Sequence, residues 1–182
     1  MTATIREVII YASLLLFILF TGFTEAEARE KDEAYYYGIS GGQTRVKNTT
    51  TQQYQDATSF GVKFGLRIYS SESVWTGTEL RHTKTTAKEE TTESGTNKTS
   101  SYEVETTGLY LTGRTRGNAY FKAKLGAARQ IITVNDDVIQ DSTRGSYGVG
   151  AGIRQGGATL EIEYTQYGDD VTVVSIGYVF GY

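Results

Sequence analysis

The 182-residue chain contains no cysteine and no proline, and has one histidine, one tryptophan and one methionine. Without cysteine there is no disulfide framework, no thiolate metal site and no thiol nucleophile. His82 is the only imidazole, so a multi-histidine zinc centre is excluded and any histidine-based catalysis has to run through that one side chain. Charge nearly cancels: 18 basic and 21 acidic residues leave a net −3, with no basic footprint for nucleic acid. Helical periodicity is missing too. Beyond residue 34 the sequence has no segment with apolar residues at i, i+3, i+4 and i+7.

What the chain does have is 21 Gly and 14 Tyr, and 12% of its residues are aromatic. The glycines follow no G-X-Y period, which excludes collagen, and the aromatic content argues against a wholly disordered chain. The first 28 residues differ from the rest. Arg6 is followed by a nearly unbroken apolar run over residues 8–20 and then by Ala26-Glu27-Ala28. That is the layout of a secretory signal peptide, with cleavage expected after Ala28. The apolar run is shorter than the ~20 residues a spanning helix needs. The expected organisation is therefore a signal over residues 1–28 and one exported domain over 29–182.

Within that domain, period-2 alternation recurs almost throughout. Phe60, Val62, Phe64, Leu66 and Ile68 share one strand face, against Gly61, Lys63, Gly65 and Arg67. Phe121, Ala123, Leu125 and Ala127 oppose Tyr120, Lys122, Lys124 and Gly126, and Tyr147, Val149, Ala151 and Ile153 oppose Gly148, Gly150, Gly152 and Arg154. Leu160, Ile162 and Tyr164 oppose Glu161 and Glu163, and the last segment sets Val174, Ile176, Tyr178, Phe180 and Tyr182 against Ser175, Gly177, Val179 and Gly181.

The second face decides between a soluble sandwich and a membrane barrel. A water-facing sheet carries varied bulky polar residues, whereas here the second face alternates Gly with Lys, Arg and Glu. Gly belongs where groups approach closely, as in a narrow barrel interior, and charges of both signs can pair across it. The apolar face then matches a lipid-facing band flanked by aromatic residues. Eight strands are expected near 34–46, 58–69, 74–84, 101–112, 119–132, 144–155, 158–167 and 171–182. Short turns are expected at 70–73, 115–118 and 155–157. Longer polar loops are expected at 47–57, 85–100 and 133–143, and the short connection at 168–170 departs from that alternation.

The closing segment, residues 173–182 (VVSIGYVFGY), alternates and ends on an aromatic residue. Together with the small-apolar-Gly strands 61–66 and 148–153, WTGTEL over 75–80 and GNAYFKAKLG over 117–126, it resembles the eight-stranded, porin-like family of the outer membrane protein A and X type. The resemblance covers residues 34–182. It implies an all-β, eight-stranded antiparallel up-and-down transmembrane β-barrel in the outer membrane of a Gram-negative bacterium. It also implies that Tyr178, Phe180 and Tyr182 form the C-terminal signal read by the barrel-assembly machinery, and that the remaining partners are outer-membrane lipid and lipopolysaccharide. A monomer is expected, with surface contacts made through loops, no nucleic acid and no cofactor or metal.

The facing assignment puts Lys63, Arg67, Glu79, Arg81, Lys122, Lys124, Arg154, Glu161 and Glu163 in the interior. An eight-stranded barrel is just wide enough for side chains to fill it, so these residues are expected to form a paired polar plug. A gate whose pairs swap to open a narrow ion path is the sharper alternative. Some barrels of this kind are lipid-modifying hydrolases that resemble a His/Ser/Glu enzyme, with Ser two residues after His. Here that position is Lys84, so the match fails and no enzymatic role is expected. The Thr-rich stretch 83–101 reads as a solvated outer loop, with strands able to continue as a hairpin and exposed edges open to a partner. A soluble, lipocalin-like barrel binding an apolar ligand predicts the opposite facing, with Phe121 and Leu125 inside and Lys122 and Glu163 in water.

Overall fold

In the computed structural model the described residues are 34–47, 54–93, 96–135 and 137–181. The expected signal peptide lies outside them, as does Tyr182. Eight strands follow one another: β1 (Tyr35–Lys47), β2 (Tyr54–Ser70), β3 (Val74–Glu93), β4 (Thr96–Thr115), β5 (Ala119–Val134), β6 (Asp137–Gln155), β7 (Ala158–Tyr167) and β8 (Val171–Phe180). Each pairs antiparallel with its sequence neighbours, and β1 pairs with β8 from Tyr37↔Phe180 to Val46↔Val171. The sheet therefore closes as an up-and-down barrel. Closure satisfies the backbone groups that an edge would expose, which is the condition for crossing lipid with strands.

The three short turns lie at one end, at residues 71–73, 116–118 and 156–157. Gly117 and Gly156 take the positive φ of 121° and 58° that such turns need. The opposite end differs from the sequence expectation. Residues 85–93, 96–100, 133–134 and 137–143 are strand, so a hairpin continues where loops were expected: β3 and β4 pair continuously from Val74↔Thr115 to Glu93↔Thr96, and β5 and β6 pair up to Val134↔Asp137. Residues 54–57 likewise belong to β2. The reason is that Thr-rich sequence has good strand propensity whether or not one face is apolar. Polar alternation marks where the band ends, not where pairing ends.

The β3–β4 hairpin outreaches its neighbours. The ladder between β2 and β3 stops at Thr58↔Thr86, and that between β4 and β5 starts at Tyr102↔Val134. Beyond those points β3 and β4 pair only with each other among the described residues. Residues 87–93 at ~3.3 Å per residue give a two-stranded ribbon ~23 Å long.

The barrel is apolar outside and polar inside. Phe121 and Leu125 are 75% and 68% exposed on the outer face, and Val149, Ile162, Phe64 and Leu109 are also exposed. Lys122 and Lys124, one residue away on the same strand, are buried inside. A soluble lipocalin-like barrel requires the reverse, so that alternative is overturned. An apolar belt running round the whole circumference is far larger than the few hundred Å² a soluble monomer exposes.

Candidate functional site

The interior is built in three layers. At the short-turn end Tyr36, Trp75 and Val179 form an apolar cluster. The Tyr36 ring lies over Gly65, where an added Cβ would meet ring carbon Cζ at 2.0 Å. The Tyr120 ring lies over Gly152 in the same way, at 2.4 Å. Glycine at these positions gives the rings their space. The Arg114 guanidinium stacks between two of these aromatics, 5.0 Å from the Trp75 ring centroid and 4.4 Å from that of Tyr120. Cation–π contacts of this kind gain strength when desolvated.

The middle layer is a charge network. Its carboxylates are Glu79 on β3 and Glu161 and Glu163 on β7; its cations are Lys63 on β2, Arg81 on β3, and Lys122 and Lys124 on β5. Lys122 Nζ donates to Glu79 Oε2 at 2.5 Å and to Glu163 Oε2 at 3.0 Å. Lys124 Nζ donates to Glu163 Oε1 at 2.6 Å. Lys63 pairs with Glu161, and Arg81 with Glu163. Arg81 Nη2 also donates to Ser175 Oγ at 2.9 Å. Two tyrosines tie this layer to the aromatic one: Tyr36 donates to Glu79 Oε2 at 2.9 Å and Tyr120 to Glu161 Oε2 at 2.5 Å. A buried carboxylate is tolerated only when opposite charge and donors surround it, and here each has both.

Above the charges, towards the long hairpins, lies a second apolar layer of Val46, Val104, Tyr110, Ala128, Ile132, Tyr167, Val171 and Val173. Tyr110 bridges to the polar side with its hydroxyl 3.1 Å from Ser146 Oγ. Gln130 Nε2 donates to the Tyr167 carbonyl at 2.8 Å. The charged layer is thus closed on both sides by packed apolar and aromatic side chains.

Seven of the nine sequence-predicted interior residues meet in the network. Arg154 is buried nearer the short turns. Arg67 departs from the expectation: it is only half-buried, because the β2–β3 register slips between Arg67 and Tyr69 at the mouth. Sequence reasoning missed Arg114 as an interior cation, Tyr36 and Trp75 in the layer beside it, and Tyr110 in the apolar layer on the other side of the charges. Strand parity was the available signal, since Tyr110, Thr112 and Arg114 alternate with the outward Leu109 and Leu111. Of the closing-strand residues, Tyr178 is exposed on the outer face and Phe180, half-buried, stacks on Tyr37 with centroids 5.4 Å apart.

His82 sits on the outer face just above Leu80, its Nδ1 3.0 Å from Thr107 Oγ1. Neither a serine nucleophile nor a carboxylate orienting group accompanies it in the hydrogen bonds described. Among the described residues no group of three His, Asp or Glu side chains is placed to hold a metal. Higher still, exposed pairs link neighbouring strands: Lys84 to Glu103 at 2.7 Å, and Arg129 to Asp141 at 2.6 Å. The bidentate Arg129 holds the Asp141 carboxyl below its ordinary 3.8, chiefly by hydrogen bonding.

A closed eight-stranded barrel with a lipid-type exterior and a packed polar interior has the architecture of the small outer-membrane barrels. The solved structures it resembles are of that class. They include Neisserial surface protein A, with a TM-score of 0.53, 14% identity, and coverage of 82% of this chain and 97% of that one. They also include the attachment invasion locus protein Ail of Yersinia pestis in complex with the heparin analogue sucrose octasulfate, with a TM-score of 0.51, 18% identity, and coverage of 80% and 97%. No protein-family model and no curated protein matches the sequence. The likeness establishes the shared fold: a closed, eight-stranded transmembrane β-barrel.

Proposed function

We propose that the chain is an integral outer-membrane protein of a Gram-negative bacterium, non-enzymatic and non-conducting. Its barrel is a rigid, sealed mount, and its β3–β4 ribbon is the working surface. In this reading the short turns face the periplasm, as such barrels place them, and the ribbon stands outside the cell. The observation that carries it is the combination of an apolar belt outside with a charge network inside, closed by apolar layers above and below. Such an interior holds the barrel shut and leaves no water path.

Surface contact is the role the ribbon fits. Its outer backbone edges have no ladder partner among the described residues, so an extended segment of another protein can add as a further strand. The names of the two structural neighbours, an attachment protein and a surface protein, support the same reading.

The test is fractionation of cells expressing the full chain, with heat-dependent gel migration of the detergent extract and trypsin treatment of whole cells. The reading predicts recovery with the outer membrane, faster migration before boiling, and cleavage at Lys88 or Lys98. Release as a soluble periplasmic species overturns it, and protection of those sites in intact cells overturns the orientation.

A further inference from the structure

Thr76 on β3, Gly113 on β4 and Ala123 on β5 pair in register and lie side by side on the outer face. These residues are small, whereas the neighbouring outward pair on the side away from the short turns, Leu111 and Leu125, is large and exposed. Ile68 stands on the β2 side, pushed out by the slip between Arg67 and Tyr69. The result is an apolar groove in the belt, about 450 Å³ in volume, floored by Gly77, Gly113 and Ala123 and walled by Ile68, Leu111 and Leu125. That is the size of a built ligand site. The groove ends close to the short-turn rim, where a cation and an anion sit together. Arg116 reaches from the β4–β5 turn to the β2–β3 turn: its amide donates to the Ser73 carbonyl at 2.9 Å, and its Nη1 to the Ser71 carbonyl at 2.9 Å. Glu72, exposed, is the residue between those two serines.

We propose that this groove holds one acyl chain of an inner-leaflet phospholipid with a primary ammonium headgroup, its phosphate on Arg116 and its ammonium on Glu72. The inference rests on the reading above, in which the belt lies in lipid with the short turns on the periplasmic side, and it names a lipid class for that belt. Charge complementarity selects the occupant. A guanidinium carries five N–H donors in a planar fork that suits phosphate, so the contact with Ser71 that positions Arg116 does not exhaust it. A primary ammonium can donate to the Glu72 carboxylate in a charge-assisted hydrogen bond. A choline headgroup has no N–H to donate, and a glycerol headgroup leaves the phosphate's negative charge uncompensated beside Glu72. The acyl chain fills a hollow whose lining otherwise lacks contacts on one side, and those dispersion contacts add to the headgroup's.

The chain's single tryptophan makes the test local. A Cβ added at Gly77 would stand 3.1 Å from Trp75 Cζ3, so the indole lies against the inner side of the same wall whose outer side floors the groove. The protein is extracted from outer membranes and reconstituted into phosphatidylcholine vesicles, with folding checked by heat-dependent migration. A small, equal mole fraction of a lipid brominated on the chain carbons nearer the headgroup is then added as the quencher. The proposal predicts about two- to five-fold more quenching of Trp75 by brominated phosphatidylethanolamine than by brominated phosphatidylcholine, the size of one exposed charge-assisted contact. Glu72→Gln should abolish that preference and Arg116→Gln should weaken quenching by both lipids. Gly113→Val fills the groove from a position where the added Cβ meets only Thr76 Cγ2 at 3.9 Å and the Trp75 carbonyl at 4.0 Å, and should also abolish the preference in a folded barrel. Equal quenching by the two lipids in the unsubstituted protein overturns the proposal. So does a preference that persists in Glu72→Gln or in Gly113→Val, and so does stronger quenching by brominated phosphatidylglycerol than by brominated phosphatidylethanolamine. Absence of quenching by every brominated lipid overturns the membrane reading itself, and this inference with it.

Discussion

Lys122 crosses the lumen from β5 to place its ammonium 2.5 Å from Glu79 on β3, two strands away around the wall. Because Lys122 also reaches Glu163 on β7, one side chain ties together three strands that share no ladder. The sheet's backbone bonds close the cylinder; these side chains fix its cross-section.

Removing one member of such a network leaves its partners buried without compensation. Glu163→Gln strips a carboxylate from Arg81, Lys122 and Lys124 at once. The expected loss is about 3–5 kcal/mol in urea unfolding from lipid vesicles. Lys84→Gln, which breaks the exposed Lys84–Glu103 pair, should leave the midpoint unchanged.

The glycines under the aromatic layer are equally specific. Gly152→Ala places a methyl group within 2.4 Å of the Tyr120 ring and should cost about 1–3 kcal/mol by overpacking. Gly157→Ala, a turn position with nothing within 4 Å of the added carbon, is the control. Combining Gly152→Ala with Tyr120→Ser should show non-additivity in the same unfolding assay, since the second change removes the clash.

Much of this was legible in the sequence, because strand parity survives every unbroken ladder. The alternation of Phe121 with Lys122 and of Ile162 with Glu163 placed each residue on the face where the structure has it. Parity lost its hold in two situations. At Arg67 the register slip at the mouth weakens the inward assignment. Beyond the apolar band, where both faces are polar, alternation no longer distinguishes strand from loop, and so the β3–β4 ribbon read as an outer loop into which the strands could continue as a hairpin, the form the structure takes. The layering of the interior was not legible at all. Tyr36, Trp75 and Val179 come from β1, β3 and β8, and their meeting depends on barrel closure and stagger, which no local pattern encodes.

Outside the band, the Arg129–Asp141 pair gives a pH signature. The hydrogen-bonded Asp141 carboxyl is depressed below its ordinary 3.8. Its contribution is therefore present above the unfolded-state value and is lost as pH falls through the lower folded-state value. A carboxyl NMR titration should place Asp141 below 3.8, and Arg129→Gln should return it to the ordinary range. Both groups are exposed, so the unfolding midpoint at neutral pH should not move.

A charge on the outer belt should behave as a charge in lipid. Leu125→Arg is predicted to cost about 2–4 kcal/mol near the bilayer midplane, measured by unfolding from vesicles. On the surface of a water-soluble protein the same change at an exposed leucine would be close to neutral.

Which solvent touches the apolar belt can be read directly. With no native cysteine, single nitroxide labels can be placed at Phe121, Leu125, Val149 and Ile162, and their collision rates with oxygen and with a water-soluble nickel chelate compared in outer-membrane vesicles. The membrane barrel described above predicts high oxygen and low nickel accessibility at all four positions, with the order reversed at Asp141. High nickel accessibility at Phe121, Leu125, Val149 and Ile162 would contradict it.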